Sequence, residues 1–209
     1  MDMLERLERT RDGARFDELL DELLPGDESA RATAVELLAR LPSGSYRHIG
    51  LVAKCGECGV WEAIPQIREA FENPGKRPRD TQASAVWALN DLLGPEERIK
   101  FLIEALDQRD FTVAELAASF IGGSEDSGVV EPLLAWLHDR LQRARSQTQA
   151  HCTTEVIAAC VRLADSAQST RLHTILDGAR LTKLEQLAAD GLFPGLELSG
   201  RAPIMDWPD

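Results

Sequence analysis

Apolar residues recur at intervals of three and four along nearly the whole chain, and short polar or glycine–proline breaks interrupt them. The clearest stretch runs from residue 99 to residue 123. Ile99, Leu102, Ile103 and Leu106 make one helical stripe, Asp107-Gln108-Arg109-Asp110 is too polar to bury, and a second apolar run from Val113 to Ile121 stops at Gly122-Gly123. That spacing predicts a helix, a turn and a second helix. On the N-terminal side, Leu4 and Leu7 mark a short helix over 2–12 that Gly13 breaks, and Phe16, Leu19, Leu20, Leu23 and Leu24 form a stripe ended by Pro25-Gly26. Asp27 or Ser29 can cap the next helix, which runs to Leu41 before Pro42-Ser43-Gly44. Ser45–Cys58 carries Ile49, Leu51 and Val52, although Gly50, Gly56 and Gly59 weaken it as a helix. Val60, Ile64, Ile67 and Phe71 share a face, with Pro65 tolerable in the first turns. After the polar loop 73–80 comes a helix from Thr81 to Leu93.

Beyond Gly123 the same rhythm continues. Glu125 or Asp126 opens a helix reaching Arg143, with Val130, Leu133, Leu134, Leu137 and Leu141 inward. A helix from Ser146 to Ala164 follows, then one around Leu172, Ile175 and Leu176, and a last one with Leu181, Leu184 and Leu187, closed by Gly191. The remainder, rich in proline, has no sustained period and reads as an extended tail. A hairpin of two helices cannot bury both of its apolar faces alone, so the pairs must stack on one another. The expected architecture is all-α: one continuous array of helix pairs over 1–190, with a non-repetitive tail at 191–209.

Three segments resemble the HEAT-like repeat family, which includes the repeats of phycobilisome lyases. Ala85-Val86-Trp87-Ala88-Leu89-Asn90 followed by Leu93-Gly94 looks like a first helix of such a repeat. Leu102 to Asp107, continuing to Val113, Ala117 and Ala118, looks like a second helix, its Asp-bearing turn and the next first helix. Phe16–Leu41 repeats that order. The pattern departs from the family at Ser45–Gly59. The resemblance implies a right-handed α-solenoid whose second helices line a concave, partner-binding surface. The family holds scaffolds, adaptors, a few lyases and DNA-alkylation glycosylases, and fold does not choose among them.

Composition narrows the choice. The 209 residues are 44% hydrophobic but only 5% aromatic, and their formal net charge is −12. Such a balance disfavours nucleic acid as a general partner, because phosphates are repelled unless a basic face is segregated. A basic protein partner is electrostatically easier. No apolar run reaches the ~18 residues of a membrane span, and the start MDMLERLERTRDGARF has no continuous apolar core of a signal peptide. The expected compartment is the cytoplasm, with all four cysteines reduced.

Candidate chemistry is sparse. Phe101 falls away from the Ile99/Leu102/Leu106 face and shares a strip with Arg98 and Ala105. It reads either as a binding-surface aromatic or as packing against a neighbouring repeat. Trp136 sits beside Arg140 and Arg143 at i+4 and i+7, a locally basic strip able to hold a carboxylate or phosphate of a partner. Its bland alternative is a seam tryptophan with solvated arginines. Trp61, with Arg68, lies on another flank. Trp87 reads as packing. Cys55-Gly56-Glu57-Cys58 has the C-x-x-C spacing of a zinc or redox pair but lacks a second pair to complete a metal set, and ordinary buried thiols are the simpler reading. Lys76-Arg77-Pro78-Arg79 is a compact basic loop, and His138, His151 and His173 show no ligand spacing.

No catalytic constellation or cofactor is expected. The preferred function is a non-catalytic scaffold, adaptor or regulator that binds another protein through Phe101, Arg98, Trp136, Arg140, Arg143 and Trp61. One version is a bacterial immunity-type protein masking a basic partner. The alternatives are a lyase or DNA glycosylase on the same scaffold, or an adaptor gated by metal or redox chemistry at Cys55 and Cys58.

Overall fold

The computed structural model describes residues 3–24, 28–143 and 145–192, the side chain of residue 148 aside. The described residues contain twelve α-helices and no strand. The expected Pro25-Gly26 stop, the Asp27 cap and the tail beyond 192 lie outside them. The chain divides into two compact units, one before and one after the Leu93–Gly94 junction.

The first unit holds α1 (Met3–Arg9), α2 (Gly13–Leu23), α3 (Glu28–Arg40), α4 (Tyr46–Glu57), α5 (Ile64–Glu72) and α6 (Pro78–Leu92). Helices touch their sequence neighbours and also the next helix but one: α1 meets α3, α3 meets α5, α2 meets α4, and α4 meets α6. Two layers result, and α4 is the centre of its layer. One of the glycines that weaken α4 as a helix, Gly56, has a packing reason. A Cβ on Gly56 would lie 2.6 Å from the Cα of Ala88, so only a glycine lets α4 and α6 approach this closely. Gly13 does not break a helix but begins one: Asp12 accepts the Arg15 N–H at 2.7 Å and caps α2 at that point. Helix α6 starts at Pro78, three residues before the predicted Thr81, because a proline at the first helical position has no N–H to leave unsatisfied.

The second unit holds α7 (Pro95–Leu106), α8 (Phe111–Gly122), α9 (Val130–Leu141), α10 (Gln147–Leu163), α11 (Ser166–Asp177) and α12 (Lys183–Ala189). The same two-layer order recurs, with α8, α10 and α12 in one layer and α7, α9 and α11 in the other. Helix α10 lies between α8 and α12 and is buried on nearly every side, from Cys152 to Ile157 without interruption. Asp126 does not open α9. It caps a 3-10 turn, Ser127–Val129, by accepting the Gly128 N–H at 2.8 Å. Ser146, Asp165 and Thr182 each form a capping box, which fixes the starts of α10, α11 and α12.

The last helix does not bury its leucine stripe: Leu187 is only half-buried and the innermost positions are Glu185 and Ala188. Leu184 is 49% exposed while Glu185 is fully buried. The reason is Arg145, which enters from the α9–α10 connection. Its Nε and Nη2 reach the two Glu185 carboxylate oxygens, both at 3.1 Å, and its side chain is only 7% exposed. Its remaining three protons go to the carbonyls of Leu141, Arg143 and Arg180 at 3.0, 3.5 and 2.8 Å. An unpaired buried carboxylate would be prohibitive, and this one is fully paired. Gly191, at φ +71°, ends α12 as the sequence predicts. Among the described residues no helix is long and apolar enough to cross a membrane.

Candidate functional site

The strip predicted on α9 opens onto a pocket of about 190 Å3 in the second unit. Helix α9 supplies Trp136 and Arg140, the α7–α8 turn supplies Asp107, Gln108 and Arg109, α8 supplies Phe111 and Ala114, and the start of α10 supplies Ser146, Gln149 and Cys152. Helical spacing explains the α9 contribution. Leu133, Leu134, Leu137 and Leu141 occupy the core, which leaves Trp136 half-buried on the flank with Arg140 one turn later.

Asp107 organises the charged groups. Its Oδ1 accepts the indole N–H of Trp136 at 3.2 Å and lies 3.7 Å from Arg140 Nη1. The Arg140 guanidinium carbon stands 5.9 Å from the Trp136 ring centroid, at the limit of a cation–π contact. The arginine side chain is only 16% exposed, and its buried Nε–H has no hydrogen-bond partner. A buried donor on a charged group left unmet is costly, and this Nε–H, closed off from the open pocket, is a local cost of the Asp107–Arg140 arrangement. Phe111, 38% exposed, adds an apolar wall. Its ring lies 6.3 Å from that of His151, which in turn stands 3.5 Å from Glu115. Arg109, exposed at the rim, adds a second cation. Among the lining side chains two cations stand against one carboxylate, while Glu115 and Glu155 lie close enough to act on the Cys152 thiol. The arrangement can hold an anionic oxygen beside an apolar group.

The other predicted residues separate from this pocket. Arg143 is exposed and paired with Asp139 at 2.5 Å, an i,i+4 surface pair. Phe101 is 1% exposed and Ala105 fully buried, so α7 buries a second face and Phe101 takes the packing role rather than that of an exposed binding aromatic. Arg98 is half-buried on the same helix, outside the pocket lining. In the first unit, Trp61 lies in the 3-10 turn Trp61–Ala63 and is 61% exposed, with Arg68 half-buried on α5. Cys55 is buried, and that burial, with Cys58 nearby, pushes its thiol up to about 12. Cys58 is half-buried and its thiol is also raised, again chiefly by burial. Among the described residues, no group of three or more His, Cys, Asp or Glu side chains could hold a metal ion. Arg77, in the basic loop, stacks 3.8 Å from the Tyr46 centroid and donates to the Gly44 carbonyl.

Sequence reasoning missed Asp107, Arg109, Phe111 and Gln149 as pocket residues. Asp107 and Arg109 stood in a turn read only as too polar to bury. Phe111, beside that polar turn, was the available signal.

In comparisons by sequence and by structure, no protein-family model, curated protein or solved structure matches this chain.

Proposed function

We propose that the chain is a non-catalytic interaction module of the HEAT-like α-solenoid kind, and that its second unit binds another protein by taking a carboxylate-bearing segment against Trp136 and Arg140. The alternating contacts of α7, α9 and α11 in one layer and α8, α10 and α12 in the other support the repeat reading. The observation that carries the binding reading is the pairing of half-buried Trp136 with the Arg140 guanidinium, 5.9 Å from its ring, in the lining of one pocket. A tryptophan and an arginine around a small pocket are what interface hot spots are made of. An arginine already oriented by Asp107 loses little freedom when it donates to a second carboxylate. The segment that fits has an Asp or Glu next to an aliphatic or aromatic residue, the acid toward Arg140 and Arg109 and the apolar group toward Phe111. The net charge of −12 then acts on the remainder of the partner's surface, favouring basic neighbours around that acidic contact.

A displayed random-peptide selection tests this. Wild-type protein should enrich peptides with an acid adjacent to an apolar residue, and Arg140→Gln should weaken those peptides by about thirtyfold, the ~2 kcal/mol of a hot spot. Enrichment of the same peptides by Arg140→Gln and Trp136→Ala, or no enrichment by the wild type, contradicts the proposal.

A further inference from the structure

The second unit ends on an apolar strip. Helix α12 packs on α10, and among the described residues no helix follows it in that layer. The Arg145–Glu185 pair fixes its rotation, with Glu185 and Ala188 turned inward. Helical spacing then leaves Leu184 and Leu187 together on a flank. Leu184 is exposed and Leu187 half-buried, as is Leu181 just before the helix. Leu192, 69% exposed, continues the strip. Its N–H donates to the Leu187 carbonyl at 2.9 Å, and the Gly191 N–H donates to that of Ala188 at 3.0 Å. With Gly191 at φ +71°, this is the helix end in which the residue after the glycine lies back against the last turn, here at Leu187. A single exposed leucine needs no explanation, but several on a terminal helix do, because a stack of helices stays soluble when its outermost face is polar or covered.

The chain that follows has the pattern to cover it. Leu192 is the last described residue, and the next six are Phe193-Pro194-Gly195-Leu196-Glu197-Leu198. Proline then glycine fills the two central positions of a type II turn, which reverses the chain direction. After such a reversal the segment runs back along α12. Residues two apart in an extended segment point the same way, about 6.6 Å from each other, so Leu196 and Leu198 share one side and Glu197 takes the other. On the helix, residues three apart such as Leu184 and Leu187 stand about 5–6 Å from each other, a close match. About 10 Å of helix separates Gly191 from Leu184, and three or four extended residues span that length. Attachment to the helix itself also makes the contact intramolecular, with a high effective concentration. We infer that residues 193–198 form a strap that turns at Pro194-Gly195 and closes the apolar edge of α12, with Leu196 on Leu187, Leu198 on Leu184 and Glu197 toward solvent. This contact does not rest on the pocket at Arg140.

The test is nuclear Overhauser spectroscopy on the full chain with labelled leucine methyl groups. The Leu184 and Leu187 methyls should show contacts to those of Leu196 and Leu198. In a mixture of labelled and unlabelled chains the contacts should stay within one molecule. Leu196→Ser/Leu198→Ser changes no described helix. It should abolish the contacts and speed amide exchange in α12 about tenfold, a modest factor because ordering the strap offsets much of the gain from burying two leucines. Leu184→Ser, at an exposed position the fold does not depend on, should release Leu198 to the same extent. Absence of these contacts overturns the inference. So do contacts made only between different chains, which would assign the strip to a second copy, and unchanged α12 exchange in Leu196→Ser/Leu198→Ser.

Discussion

Replacing Arg145 by methionine should be among the most damaging single changes in the second unit. The substitution keeps most of the aliphatic stem but removes a guanidinium that makes two hydrogen bonds to the fully buried Glu185 and one each to the Leu141 and Arg180 carbonyls. What remains is a carboxylate at 0% exposure that still accepts the Thr182 N–H at 2.7 Å. Breaking a buried pair from one side costs about 3–5 kcal/mol, because the surviving charge has neither water nor a counter-charge. That is a large part of the ~5–15 kcal/mol that holds a typical domain. A chain of two units need not unfold in one step, so amide hydrogen exchange is the right assay, since it reports by segment. Protection in α10 and α12 should fall by about a thousandfold, each factor of ten being ~1.4 kcal/mol. The double variant Arg145→Met/Glu185→Leu removes both charges and should recover all but ~1–2 kcal/mol, the residue reflecting the lost capping box of α12. A loss below ~1 kcal/mol in the single variant, or a double variant less stable than the single, would refute the reasoning.

Gly56→Ala should destabilise the first unit by about 1–3 kcal/mol although alanine is the better helix former, because the new methyl meets the Ala88 backbone at 2.6 Å; thermal denaturation compared with Gly59→Ala, which meets nothing within 4 Å but sits at φ +66°, checks this. His48 is held neutral because burial lowers its pKa below the ordinary 6.5. The unfolded chain therefore binds its proton first, so stability should fall as pH drops below about 6.5, and His48→Phe should flatten that part of a urea-stability profile. Among the cysteines, half-buried Cys58 should react first with a neutral-pH alkylating reagent, while Cys55 and Cys160, with thiols pushed to about 12 by burial, should react only when the fold opens, as peptide mapping can show.

The helices were legible because each carries its own apolar period and its own punctuation. Pro42-Ser43-Gly44, Gly94-Pro95 and Gly122-Gly123 separate elements in the structure as they do in the sequence. Helix α12 was not legible in the same way. Its leucines at 184 and 187 outweighed the evidence of Glu185, whose partner Arg145 is forty residues earlier and cannot be inferred from local spacing. Phe101 illustrates the same limit: one helical wheel shows one face, whereas α7 is buried on two. The Trp136–Arg140 strip was readable because i and i+4 positions meet on any helix. Asp107, which joins those two side chains, belongs to another helix pair, and only the fold brings it there.

The measurement closest to the central claim is a double-mutant cycle between Arg140→Gln and an acid-to-amide change in a peptide selected by the wild-type protein. With binding free energies from calorimetry, the account predicts a coupling of at least ~1.5 kcal/mol, the scale of close charge pairs across an interface. A coupling near zero, with the peptide still bound, would place its acid away from Arg140 and contradict the account.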